Sequence, residues 1–213
     1  WSGQRPVEWL LNHTSVDRRW CLVHATHMTP EESQSAALSG AVAGICPSTE
    51  ANLGDGIFDS PSWAAHGGRW GIGSDSHACV SAAEELMQYE YSQRLNLRQR
   101  NVLANQNHRS VATAMTLAAV AGGAQASGRP IEGLAVGARM DAVALDARHP
   151  VLSDLPSPEL MLSSHVFASH RSNAIHAVWV GGQVRVQGGR HALAASSRQA
   201  FLAARNALFT AAQ

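Results

Sequence analysis

Neither sign of charge is in excess in this sequence: Lys+Arg and Asp+Glu number 16 each, and charged residues make up only 15% of 213. Without a basic surplus there is no field to hold a nucleic acid or an anionic membrane surface. The arginines from Arg94 to Arg109 read as decoration of a helix face. No apolar run approaches the roughly 20 residues of a membrane span. Cysteine is scarce, three in all, at Cys21, Cys46 and Cys79. They cannot all pair, and no CxxC spacing offers a structural zinc site or a redox motif. A reduced, cytoplasmic setting fits this usage. The start, WSGQRPVEWLL, lacks an initiator Met and the layout of a signal peptide, and the expectation is that it has been cut from a longer protein.

Hydrophobic residues, by contrast, make up 45% of the chain, enough to bury a sizeable core in one or two domains. Eleven histidines direct attention to general acid/base and metal chemistry. RRWCLVHATH predicts a short buried strand at about residues 20 to 24. A helix follows: Thr29 and Glu32 have capping-box spacing, Pro30 suits the first turn, and Gly40 suits the exit. GAVAGICP predicts a second strand ending near Cys46. The stretch STEANLGDGIF then reads as a long loop, and DSPSWAAHGG as a short helix. RWGIGSD predicts the third strand, before a helix in SAAEELMQYEYSQRL.

These strand ends, at His24, Cys46 and Asp75, lie 22 and 29 positions apart, a spacing that suits βα units of a parallel sheet. Further on, SVATAMTLAAVAGGAQASG predicts a helix or a helical pair. After Pro130 the texture changes. GARMDAVALD predicts a strand, and AIHAVWVGGQVRVQGG a hairpin turning at Gly181 and Gly182. A last helix is expected at about 196 to 212. The domain reading is therefore a βα-repeat unit over 1–130, a β-rich segment over 131–195 and a C-terminal helix over 196–213.

The unusual residues gather where strands end, the edge that carries the chemistry in α/β barrels. His24 and His27 form H-x-x-H, and an odd separation on a strand sends the two to opposite faces. For His24 a hydrogen-bonded strand-end residue and a site residue are both open readings. Asp75 follows an apolar strand directly. A carboxylate there is costly unless it meets a metal, a cation or several donors, and capping the next helix is the competing role. Glu50 and Asn52 become candidate substrate contacts, or alternatively a surface carboxylate and an Asx turn. Cys21 and Cys46 read as small core residues, and Trp9, Trp20 and Trp179 as packing anchors.

CLVHATHMTPEE, GAVAGICPSTEANLGDGIF and GRWGIGSDSHACVSAAEELMQYEYSQRL together resemble the last third of the barrel in the amidohydrolase superfamily. Within it, STEANLGDGIF and GSDSH are similar to the formimidoylglutamate deiminases of histidine degradation. IEGLAVGARMDAVALD is similar to a returning strand of the superfamily's small β-sandwich. The fold this resemblance implies is α/β: about three βα units from the C-terminal portion of a distorted (β/α)8 TIM barrel, plus part of a β-sandwich.

The resemblance also implies one divalent zinc in the full-length parent, with Asp75 as metal ligand and proton acceptor and His24 bonded to the attacking water or the tetrahedral centre. Zinc lowers the pKa of its water, hydroxide adds to the C=N carbon of N-formimidoyl-L-glutamate, and ammonia leaves after protonation to give N-formyl-L-glutamate. The superfamily's first-strand H-x-H and fifth-strand H-x-x-E have no counterpart here. A catalytic zinc takes about three protein ligands, so the chain alone is expected to be inactive. The implied partner is a small-molecule substrate, and a homodimer of the full-length parent is possible. Two readings compete: another deaminase or cyclic amidohydrolase of the same superfamily, and a non-catalytic half-barrel scaffold.

Overall fold

Three short apolar stretches pair in parallel at the centre of the computed structural model, which describes residues 2–129, 133–168 and 173–211. They are β1 (Cys21–Val23), β2 (Val42–Ile45) and β3 (Arg69–Ile72), in the order β1-β2-β3. Leu22, Ala43 and Trp70 stand side by side in the register, so they share one face of the sheet. That face is buried in a core with Ala36, Phe58, Trp63, Tyr89 and Met115. Trp70 meets Tyr89 edge to face at 4.9 Å, and Trp63 Nε1 donates to the Arg69 carbonyl at 2.9 Å. The indoles that anchor the core are thus Trp63 and Trp70, whereas Trp9, Trp20 and Trp179 are only half-buried.

Local signals set most helix starts. After α1 (Pro6–His13), helix α2 (Pro30–Leu38) begins with the capping box its sequence predicts. The Thr29 hydroxyl accepts from Glu32 N at 3.2 Å, and the Glu32 carboxylate accepts from Thr29 N at 2.8 Å. Glu32 also accepts from Glu8 N and Arg5 Nε, each at 3.0 Å, which ties α1 to α2. Burial pushes the Glu32 carboxyl pKa up, but the donors on Thr29, Arg5 and Glu8 outweigh it and leave the pKa lowered.

The expected loop STEANLGDGIF is helical over its first half. Helix α3 (Pro47–Leu53) starts on a proline and ends at Gly54 with φ 74°, and α4 (Ser60–Ala65) follows, capped by Asp59. Thr, Asn and Gly in α3 disguise it in sequence. What satisfies its free N-terminus comes from far away: Ser48 N donates to Glu85 at 2.9 Å.

Glu85 sits in α5 (Ala82–Leu97), which starts at Ser81. Its buried face includes Glu85, Glu90 and Gln93 beside Leu86 and Tyr89, and the two carboxylates are paired. Glu90 accepts from Arg94 at 2.6 Å and from Val102 N and Leu103 N. SVATAMTLAAVAGGAQASG forms one helix, α6 (Val111–Ala126), capped by Ser110. It packs closely on β3: a Cβ at Gly122 would lie 1.9 Å from the Trp70 carbonyl oxygen, so no larger residue fits that approach.

The second sheet is antiparallel, in the order β4 (Ala142–Leu145), β5 (Ile175–Val180), β6 (Gln183–Gln187), β7 (Arg190–His191). Gly181 and Gly182 turn the β5–β6 hairpin with φ 58° and 77°, values that the primed hairpin turns demand. Between β4 and β5 lies α7 (Pro158–Phe167), which reaches back to the helices before the sheet. Phe167 stacks on Tyr91 at 5.7 Å, and the Arg94 guanidinium lies 5.3 Å and 5.5 Å from the two ring centroids. Arg94 therefore joins α5 to α7 rather than decorating a surface. Helix α8 (Ala194–Ala211) has no buried residue. The domain boundary expected near residue 130 lies outside the described residues.

Candidate active site

The three parallel strands each hand the chain to a residue with usable chemistry. His24 and Cys46 follow β1 and β2 directly, and Asp75 comes three positions after β3. Parallel pairing aligns these ends, and the side chains converge. His24 Nε2 lies 3.4 Å from Asp75 Oδ2, and His24 Nδ1 lies 3.2 Å from Glu50 Oε1. The Glu50 side chain is 7% exposed, against 31% for His24 and 41% for Asp75. Glu50 therefore lies behind His24, while Asp75 faces the open side.

The backbone is bent to achieve this. His24, Ala25 and Asp75 have φ of 63°, 49° and 50°, a left-handed region that costs a non-glycine residue about 1 to 2 kcal/mol. Strain of this kind persists where surrounding bonds over-determine the conformation, which is common at functional sites. Here His24 N donates to the Gly44 carbonyl at 2.8 Å. The Thr49 hydroxyl donates to the Ser74 carbonyl at 2.7 Å and accepts from His77 N at 3.1 Å. Glu50 Oε1 accepts from Cys46 N at 2.8 Å. The first turn of α3 thus holds the loops on both sides of it, through Thr49 on one and Glu50 on the other.

Burial raises the pKa of the Glu50 carboxyl, against the opposing effect of the Cys46 N–H and His24. Burial likewise pushes the Cys46 thiol up to about 12, helped by the carboxylates of Glu50, Asp75 and Glu85. One ligand atom each from His24, Cys46 and Asp75 lies within 4.8 Å of the others. Imidazole nitrogen, thiol sulfur and carboxylate oxygen are the donor types that zinc takes, so these residues fit such an ion.

Of the residues singled out in the sequence, His24, Glu50 and Asp75 come together. Asn52 does not. It is exposed, and two positions on from Glu50 it is turned about 200° around α3. The His27 ring lies against Gly56, outside the His24–Cys46–Asp75 group. Cys46, read from the sequence as a core residue, is buried but also belongs to this group. Its signal was its position, since it follows a strand as His24 does. A wide cavity of about 1370 Å³, lined by Arg18, Gly40, Arg69 and Gln125 among others, opens at the amino ends of the strands, away from this chemistry.

Residues 4–185 match the model of the Amidohydrolase family. The chain belongs to this family. It is 48% identical over 202 residues to the formimidoylglutamate deiminase of Pseudomonas aeruginosa, covering 95% of this chain and 44% of that protein. The crystal structure of an amidohydrolase from Brucella melitensis superposes with a TM-score of 0.91 at 47% identity, over 98% of this chain and 45% of the other. A zinc-bound adenosine deaminase from Xanthomonas campestris superposes with a TM-score of 0.76 at 22% identity, over 93% of this chain and 45% of the other, a likeness of fold alone. The chain thus spans less than half the length of these relatives, and its three βα units are part of an amidohydrolase TIM barrel. No helix among the described residues is long and apolar enough to cross a membrane.

Proposed function

We propose that the full-length protein carrying this chain is a metal-dependent deiminase that hydrolyses N-formimidoyl-L-glutamate to N-formyl-L-glutamate and ammonia, a step of histidine degradation. The observation that carries the hydrolytic part is the 3.4 Å approach of His24 Nε2 to Asp75 Oδ2 at the carboxyl edge of the sheet. The 48% identity to a formimidoylglutamate deiminase supports the choice of amidine. Asp75 is the ligand this chain offers to the metal, with His24 and Cys46 close enough to share it. When bound, the metal, which we take to be zinc, supplies Lewis acidity.

The remaining work falls to this chain's own groups. Asp75 Oδ2 takes a proton from the attacking water and returns it to the departing nitrogen. His24 Nε2 hydrogen-bonds the attacking water or the tetrahedral centre that its addition creates. The free thiols of Cys21, Cys46 and Cys79 support a reduced cytoplasmic setting.

Asp75→Asn in the full-length protein is expected to abolish ammonia release, because it keeps the shape of the side chain but loses its charge and basicity. His24→Ala is expected to lower kcat by about 10² to 10³, the scale of a lost oxyanion donor, with most of the metal retained. Ammonia assays and metal analysis on both variants decide the matter. An active Asp75→Asn beside a metal-free His24→Ala would exchange the roles. Turnover of nucleobases or cyclic amides in place of the amidine would move the protein to a sister activity of the family.

A further inference from the structure

We infer that Glu50 is a positioning residue that acts through His24, fixing the proton on Nδ1 so that Nε2 faces Asp75 and the reacting centre. This rests on the hydrolytic reading above and assigns Glu50 a role other than substrate contact. Glu50 Oε1 lies 3.2 Å from His24 Nδ1 and accepts from Cys46 N at 2.8 Å. A carboxylate oxygen accepts hydrogen bonds, so the ring nitrogen facing it carries a hydrogen, and the ring is held with Nε2 on the side where Asp75 stands at 3.4 Å. Which ring nitrogen of a histidine works is set by the bond the other one makes.

The arrangement is built rather than incidental. Glu50 is 5% exposed and sits in the first turn of α3, a turn fixed at each of its neighbours. Ser48 N and the Ser48 hydroxyl both donate to Glu85, and the Thr49 hydroxyl bridges the Ser74 carbonyl and His77 N. One rigid turn therefore sets His24 through Glu50 and the Asp75 loop through Thr49. His24 needs such a hold, because its own backbone is in the left-handed region at φ 63°.

Two readouts on the full-length protein test this. The first needs no substrate. With histidine selectively labelled with ¹⁵N, the His24 ring signals, identified by their loss in His24→Ala, are expected to report hydrogen on Nδ1. In Glu50→Ala they shift to a mixture of tautomers. The second is a kinetic cycle with N-formimidoyl-L-glutamate. Glu50→Ala is expected to lower kcat about 10- to 100-fold, the usual range for a residue that orients a site group, with KM and metal content nearly unchanged. In a His24→Ala background it should add less than about twofold, since two residues acting as one unit are non-additive. Glu50→Gln keeps an oxygen that can accept both hydrogens and should restore much of the rate, which also covers the case in which the alanine variant does not fold.

A bare Nδ1 in the unaltered protein, or unchanged ring signals in Glu50→Ala, overturns the inference. So does an equal kcat loss in both backgrounds, or a rise in KM with kcat intact. If the unaltered protein leaves the amidine untouched while the ring signals behave as expected, the function reading fails and the positioning role stands.

Discussion

Cys46 illustrates how location alters a side chain's chemistry. Its thiol sits within reach of His24 and Asp75, yet burial and three neighbouring carboxylates push its pKa up to about 12. Only the thiolate is nucleophilic. In metal-free protein held at about pH 8, close to the free-thiol pKa, iodoacetamide is expected to label exposed Cys79 and leave Cys46 unmodified. Peptide mass spectrometry reads the outcome, and equal labelling of the two would refute the burial and charge argument. The same neighbourhood explains why three non-glycine residues accept positive φ there: the strain is local, and hydrogen bonds donated by Thr49 and accepted by Glu50 and the Gly44 carbonyl hold it.

At the scale of elements, the contact between α6 and β3 sets a sharp packing limit. Alanine in a helix interior is favoured over glycine by about 1 kcal/mol, whereas overpacking costs typically about 1 to 3 kcal/mol. At Gly122 the new Cβ would lie 1.9 Å from a strand carbonyl, and backbone has no alternative rotamer, so the packing cost wins. Gly122→Ala is therefore expected to lower the melting temperature of the full-length protein by several degrees. Gly123→Ala, where nothing lies within 4 Å of the new atom, should leave it level or raise it. A thermal melt of the two variants checks both signs, and a neutral Gly122→Ala would mean that α6 slides freely on the sheet. Helix α3 makes the complementary point. Its seven residues are too few for a stable helix by themselves, and Glu85, brought by α5, completes its start.

At the scale of the whole molecule, the three-stranded sheet leaves the outer edges of β1 and β3 without a strand partner among the described residues. Val23 on β1 is 55% exposed. The chain spans 44% of the Pseudomonas aeruginosa deiminase. Residues 1–213 produced alone are expected to release no ammonia from N-formimidoyl-L-glutamate and to lose added zinc on dialysis, because Cys46 resists ionisation and His24 and Asp75 are partly open to water. Stoichiometric zinc after dialysis, or measurable turnover, would contradict this. Local signals alone determined the strand end at His24, the capping box of Thr29 and Glu32 and the Gly181–Gly182 hairpin, because each depends on neighbours within a few residues, whereas β3 stops at Ile72, three positions before Asp75. Only the tertiary structure decided that STEANLGDGIF begins as a helix, that α7 returns to α5 through Arg94, that Cys46 joins the site, and that Glu50 stands behind His24 rather than in a solvent loop. Those outcomes depend on partners brought from a distance, Glu85 for Ser48 across 37 positions and Glu50 for His24 across 26, and a local pattern carries no record of a bond that exists only after the chain has closed on itself.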